Sequence, residues 1–342
     1  MPGWGQLHRW LGLALSLWLV LVSLTGTLLF YKTELLQLKY PQLKLTDIPD
    51  QQDAARVFDR FDTGHAFLPR ADKPWIEVVD ASGTHQYFNA EGKHILSREH
   101  MGDWISWFVE FHHHLLLDEL GKDIQGYLGL ASLLLVVAGL VKWWPQTWSR
   151  RLFTIRWAWP WQKNFRATLW QLHRVTGVVL LIPILILLIT GTAIMYSAVV
   201  SDTLTRLFPQ QQQVTSMPDT APAATDWPAR LRVAEQLFPE MDARLVYLDR
   251  ARIRLKYDDE WHPNGRSYMQ FDPVTRALVS WQDIRNQAYG AQLAQMVYPL
   301  HVSAIGGVSL LTVLVAGGIA LIVLPVSGVW FWVWRQRRRK MA

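Results

Sequence analysis

The chain has 342 residues, half of them apolar, with 19 Trp and a formal charge of +6 at pH 7. It has no Cys, which excludes disulfides, thiolate catalysis, Cys-ligated zinc, iron–sulfur clusters and covalently attached c-type haem. Its basic residues gather beside apolar runs and follow no nucleic-acid-binding motif, so no nucleic acid is expected as a partner and the charge reads as membrane topology.

From Trp10 to Tyr31 no residue is charged, a run that spans a hydrocarbon core of roughly 30 Å at the helical rise. This first span, residues 1–31, ends without a small-residue cleavage site and is expected to stay in the mature protein. Residues 32–103 form a first small α+β module, with a helix over Gln51–Phe61 and strand-like alternation from Trp75–Val79 to Tyr87–Lys93. A surface helix over 104–123 precedes the second span, 124–144. The loop 145–171 carries Arg150, Arg151, Arg156, Lys163 and Arg166 with no acid, and is placed in the cytoplasm, with anionic lipid as a secondary partner.

The third span is expected over 172–200, kinked at Pro183. Residues 201–286 form a second α+β module: Gln210–Thr225 is a flexible connector, Trp227–Phe238 a helix, and Arg252–Tyr257 and Tyr268–Thr275 strands. Pro299 and Gly306-Gly307 separate a second surface helix, 287–305, from the fourth span, 306–334, which Pro325 is expected to bend. The tail 335–342 is basic, so both termini are placed inside and both modules outside, in the periplasm. The fold class is a membrane all-α core of four transmembrane helices, as tandem duplicated helix pairs, with two small α+β domains.

The duplication is explicit. Gln6-Leu7-His8-Arg9 recurs as Gln171-Leu172-His173-Arg174, Thr25-Gly26-Thr27 as Thr190-Gly191-Thr192, and Tyr31 as Tyr196, all 165 positions apart. In the second helix of each half, Phe111-His112 matches Leu300-His301, Gly129 matches Gly318, and Ala138-Gly139 matches Ser327-Gly328, now 189 positions apart. The extra 24 residues fall in the second outer module.

Of the eleven His, the repeat singles out His8 with His173 at the cytoplasmic face and His112 with His301 at the outer face. Neutral imidazoles are good axial ligands, and facing helices can present one to each side of a porphyrin, so two bis-His haem b groups are expected. Taken singly, an interfacial His that only bonds headgroups or water is an equal reading; the repeat-matched set of four shifts the weight to ligation. His112-His113-His114 cannot all reach one ion from a helix, and His112 alone matches His301, with His113 the fallback ligand. Arg9 and Arg174 are candidate propionate partners. Met195 and Met296 read as packing, the Trp residues near the helix ends as an interfacial belt, and His65, His85, His94, His100 and His262 as ordinary exposed histidines.

The Leu-His-Arg helix starts, the Thr-Gly-Thr motifs, Phe111-His112-His113-His114-Leu115-Leu116-Leu117, Pro299-Leu300-His301-Val302-Ser303-Ala304-Ile305-Gly306-Gly307 and the strand-turn modules resemble the PepSY-associated transmembrane family over essentially the whole chain. The resemblance implies PepSY-like outer domains, haem ligation at His8, His173, His112 and His301, and the activity of inner-membrane ferric-siderophore reductases of the ferrioxamine-reductase type. The expected partners are a ferric siderophore outside and, as donor, quinol or a cytoplasmic reductase. The other readings are a periplasmic peptidase-binding or sensor protein and a di-haem quinol oxidoreductase with another acceptor.

Overall fold

The computed structural model describes residues 2–155, 161–210 and 223–341. In chain order the helices are α1 (Pro2–Leu29), α2 (Lys32–Lys39), α3 (Gln51–Phe58), α4 (Trp104–His114), α5 (Asp118–Trp143), α6 (Trp161–Val179), α7 (Leu181–Met195), α8 (Ser197–Leu207), α9 (Trp227–Leu237), α10 (Tyr289–Gln295), α11 (Val297–His301) and α12 (Gly307–Met341). The strands are β1 (His65–Phe67), β2 (Ile76–Val79), β3 (His85–Phe88), β4 (His94–Arg98), β5 (Met241–Tyr247), β6 (Arg252–Tyr257), β7 (Ser267–Phe271) and β8 (Leu278–Gln282). These elements form two compact units, a helical one of Met1–Phe30, Phe108–Tyr196 and Leu300–Ala342, and one of Tyr31–Trp107 and Ser197–Pro299 that holds the sheet.

Three helices of the helical unit, Gly3–Leu29, Asp118–Trp143 and Gly307–Arg337, are long and apolar enough to cross a membrane. The pair Phe165–Val179 and Leu181–Met195 makes a fourth span if counted as one, bent by 63°. The third span is therefore broken at Leu180, and its first half begins ahead of the expected 172. Pro183 supplies no N–H to the carbonyl four residues back, so the helix restarts there instead of running through. Pro325, by contrast, lies inside the continuous α12.

Small and hydroxylated residues face the interior of this bundle, where Ser23, Thr25, Gln125, Ser132, Thr190, Thr192 and Ser327 are buried, while Leu17 (71 % exposed), Ile182 (70 %) and Val308 (78 %) point outward. That inversion suits lipid, which solvates Leu as well as a protein core does and leaves close packing and hydrogen bonds to join helices. Leu15, Leu19, Ile184, Leu188, Ala320 and Leu321 fill the centre.

Both surface helices are shorter than expected. The first ends at His114, and the chain reverses through Leu115 (φ 51°) and Leu116 (φ 61°) into Asp118 (φ 50°), so 118–123 belong to the span. The second is split at Met296 into α10 and α11. Helix α2 follows the first span in the chain, and α8, which begins at Ser197, takes the last residues, 197–200, expected of the third span.

The expectation of two outer domains is corrected. One antiparallel sheet runs in the order β4-β3-β2-β1-β5-β6-β7-β8. The two halves join where β1 pairs with β5, His65 opposite Tyr247, Ala66 opposite Val246 and Phe67 opposite Leu245. Separate modules would each leave an open edge at β1 or β5, and this pairing removes both. Helices α3 and α9, N-capped by Asp50 and Asp226, cover one face of the sheet. Their Phe58 and Trp227 rings meet at 6.5 Å, and both halves contribute to a single core that includes Ile76, Val78, Val246, Ile253, Leu255, Met269 and Phe271. The connector expected at 210–225 lies almost wholly outside the described residues, as does Arg156 of the basic loop.

Amides of 65–67 and 245–247 should therefore exchange with solvent deuterium as slowly as those of central strands. Exchange at the rate of the edge strand β8 would mean two separate modules.

Candidate functional site

The four repeat-matched histidines meet in two pairs. His8 of α1 and His173 of α6 have ring centroids 6.3 Å apart, with planes at 81°. His112 of α4 and His301 of α11 are likewise 6.3 Å apart, with planes at 29°. The pairs stand at opposite ends of α1. His8 is in its second turn, whereas His112 packs on Val22–Gly26, so roughly 25 Å of helix separates them at 1.5 Å per residue.

All four rings are held the same way. His8 Nδ1 lies 3.1 Å from the Leu135 carbonyl and His112 Nδ1 lies 3.0 Å from the Val22 carbonyl, and a carbonyl only accepts, so both Nδ1 atoms carry the proton. His173 Nδ1 is 2.8 Å from Ser327 Oγ, whose own proton goes to the Leu324 carbonyl at 2.9 Å, so Ser327 accepts from the imidazole. His301 Nδ1 is 2.9 Å from Thr190 Oγ1, which itself donates to the Ile186 carbonyl. In each ring the Nε2 lone pair is left free for a ligand.

The repeated glycines make room for these rings. A Cβ on Gly26 would lie 2.4 Å from His112 Cε1, one on Gly139 2.9 Å from His8 Cε1, and one on Gly191 3.1 Å from His301 Cε1. Gly328 holds the matching place below His173, at 3.7 Å. In each Thr-Gly-Thr motif the last threonine packs on a glycine of the other half. A Cβ on Gly318 would meet Thr27 Oγ1 at 2.2 Å, and one on Gly129 would meet Thr192 Oγ1 at 2.4 Å.

His112, not its neighbours, is the residue opposite His301. His113 is exposed, and His114 Nδ1 is 2.7 Å from Glu110 Oε1. The position of His112 is fixed further by Gln125, which donates to its backbone carbonyl at 2.7 Å and accepts from the Trp18 indole at 2.7 Å. Arg9 stacks over Trp10, and Arg174 lies over Trp170 and donates to the Arg151 carbonyl. Among the described residues no group of three or more His, Asp or Glu converges as a metal site, so each pair stands alone. The repeat located the histidines; their hydroxyl and carbonyl partners were missed, although the recurrence of Thr-Gly-Thr at matched positions was the signal for one of them, Thr190.

The sheet face away from α3 and α9 is charged. In the first half, Glu77 bonds His85 at 2.7 Å, and buried Arg98 bonds Asp103 at 2.7 Å and Tyr87 at 2.8 Å. Asp103 also caps α4 through the Ser106 N–H at 2.8 Å. In the second half His262, expected to be exposed, is 5 % exposed and stacks on Tyr298 at 5.4 Å. Burial, followed by the charges of Arg266, Arg254 and Lys256, pushes its imidazole far below the ordinary range.

Residues 6–335 match the family described as the PepSY-associated TM region, and the chain belongs to that family. It is a membrane protein with a helical core and an α+β domain. A comparison with curated proteins finds no match.

Burial opposes ionisation of Glu77, but His85 and the nearby lysines bring its carboxyl down to about 2. A depressed carboxyl contributes stability that is fully present above the ordinary value of 4.5 and is lost as pH falls through about 2. Glu77→Gln should therefore lower the thermal midpoint most above pH 5, with the gap closing toward pH 2. A gap independent of pH in differential scanning fluorimetry would contradict this.

Proposed function

We propose that the protein is a di-haem b electron conduit of the bacterial inner membrane that reduces ferric siderophore in the periplasm and releases Fe(II) for uptake. What carries the reading is the pair geometry together with the four free Nε2 atoms. A metal–imidazole bond of about 2 Å on each side, plus the distance from nitrogen to ring centre, puts two axial imidazoles about 6 Å apart between centroids. Both pairs have that spacing. A pair supplies only two ligands, so the rest of the coordination shell falls to a group that brings its own, as a porphyrin does with four nitrogens. Haem fits this donor set.

When bound, haem supplies reversible one-electron chemistry. The chain's own residues do the positioning. Leu135, Val22, Ser327 and Thr190 hold each Nδ1–H and so aim each Nε2 and raise its basicity. Arg9 and Arg174 are retained as propionate partners at the inner pair. The basic loop and tail support a topology with the His8/His173 pair on the cytoplasmic side, where quinol or a cytoplasmic reductase donates electrons, and the His112/His301 pair on the periplasmic side. Fe(III) delivered there on hard oxygen ligands is held more weakly once it is Fe(II), and leaves.

Purified protein should show a low-spin b-type spectrum with two haems per chain. His8→Ala or His173→Ala should remove one haem, and His112→Ala or His301→Ala the other, whereas His113→Ala keeps both. Gly26→Val, which crowds His112 without deleting a ligand, should loosen the outer haem alone. Retention of both haems in all four alanine variants, or a colourless wild type, would sink the reading.

A further inference from the structure

The sheet face away from α3 and α9 carries positive charge at the β6–β7 corner, where no acid among the described residues bonds to it. Alternation along β6 sends Ile253, Leu255 and Tyr257 into the core, so Arg252, Arg254 and Lys256 share the other face. Across the ladder Arg254 stands opposite Tyr268, and the guanidiniums of Arg252 and Arg254 lie 3.8 and 5.7 Å from that ring's centre.

Arg254 is 6 % exposed. Its Nε donates to the Gly265 carbonyl at 2.6 Å and its Nη2 to His262 Nδ1 at 3.1 Å, a nitrogen that also accepts from the Asn264 N–H at 3.2 Å. His262 therefore receives and does not neutralise. Arg266, in the loop that closes the hairpin, has a buried Nε without a hydrogen-bond partner. Among the described residues none of Arg252, Arg254, Lys256 and Arg266 forms a salt bridge. Glu260 of the same loop has an Oε1 with no partner, and burial pushes its carboxyl up to about 7.

Desolvated cations whose neighbouring acid, Glu260, is pushed by burial toward its neutral form are costly to a fold and mark places where a ligand supplies the missing anion. Tyr298, the residue stacked on His262, lies three positions before His301 in the sequence. We propose that Arg252, Arg254, Lys256 and Arg266, around Tyr268, form the docking site of the electron acceptor and select ferric chelates that carry free negative charge over uncharged trihydroxamates. The inference rests on the reductase reading and names its substrate class.

Redox-inert gallium(III) chelates separate docking from electron transfer. With the full-length protein in nanodiscs, gallium(III) citrate should bind, weaken with rising salt, and lose about tenfold in affinity in Arg252→Gln and in Arg266→Gln, each the loss of one charge-assisted contact. Both side chains are only partly buried, so both variants should keep wild-type haem content. A gallium(III) trihydroxamate of zero net charge should bind more weakly and ignore both changes. Equal or tighter binding of the neutral chelate, or wild-type citrate binding in both variants, overturns the proposal. Reoxidation of dithionite-reduced protein tells the two claims apart. If ferric trihydroxamate reoxidises it and ferric citrate does not, the reductase reading stands and the anion selectivity falls. If gallium citrate binding follows the arginines but neither ferric chelate reoxidises it, the anion site stands and the reductase reading falls.

Discussion

An imidazole inside a helical bundle has one N–H that must find an acceptor, and the position of that acceptor decides which nitrogen keeps a free lone pair. Here each acceptor belongs to a long helix of the bundle: the Leu135 and Val22 carbonyls directly, and the Leu324 and Ile186 carbonyls through the Ser327 and Thr190 hydroxyls. Much else in the helical unit follows from holding those rings in place. The glycines at 26, 139 and 191 are empty because a ring occupies the space of their side chains. The helices that meet there carry their bulk on the outside, where lipid tolerates it.

Much of this could be read in the sequence, for reasons that differ by element. The first, second and fourth spans are long uncharged runs, and length alone identifies them. The break at Leu180 is not visible as composition, because residues 181–195 stay apolar on both sides of Pro183 and only the geometry of the restart distinguishes a kink from a 63° bend. The histidines were found by register between the repeats. Ser327 was not, since its counterpart is Ala138, which has no hydroxyl to mark the position. The joined sheet was hidden for a different reason: β1 is three residues long, and its partner β5 lies about 180 positions away, so no local pattern records the pairing.

The halves have diverged at particular positions. Trp18 and Gln125 brace His112 from the membrane interior, and their repeat positions hold Pro183 and Leu314, which make no such bond. On the sheet, the first half neutralises its buried charges as Glu77–His85 and Arg98–Asp103, whereas in the second, among the described residues, Arg254 and Arg266 form no salt bridge. Common ancestry explains the shared frame, and these departures are where the two halves differ.

The pairing of equivalent residues has a geometric consequence. His8 faces its own counterpart His173, His112 faces His301, and β1 lies antiparallel to its own counterpart β5. Contacts of each element with its own image are isologous, the signature of a twofold axis. One repeat alone would present single imidazoles and an open strand edge, and could complete neither. Within the helical unit two identical copies would complete both imidazole pairs as a symmetric dimer, and within the sheet unit they would complete the β1–β5 pairing. Fusion into one chain frees the two sides of that axis to carry different residues, which a homodimer with a single sequence cannot do.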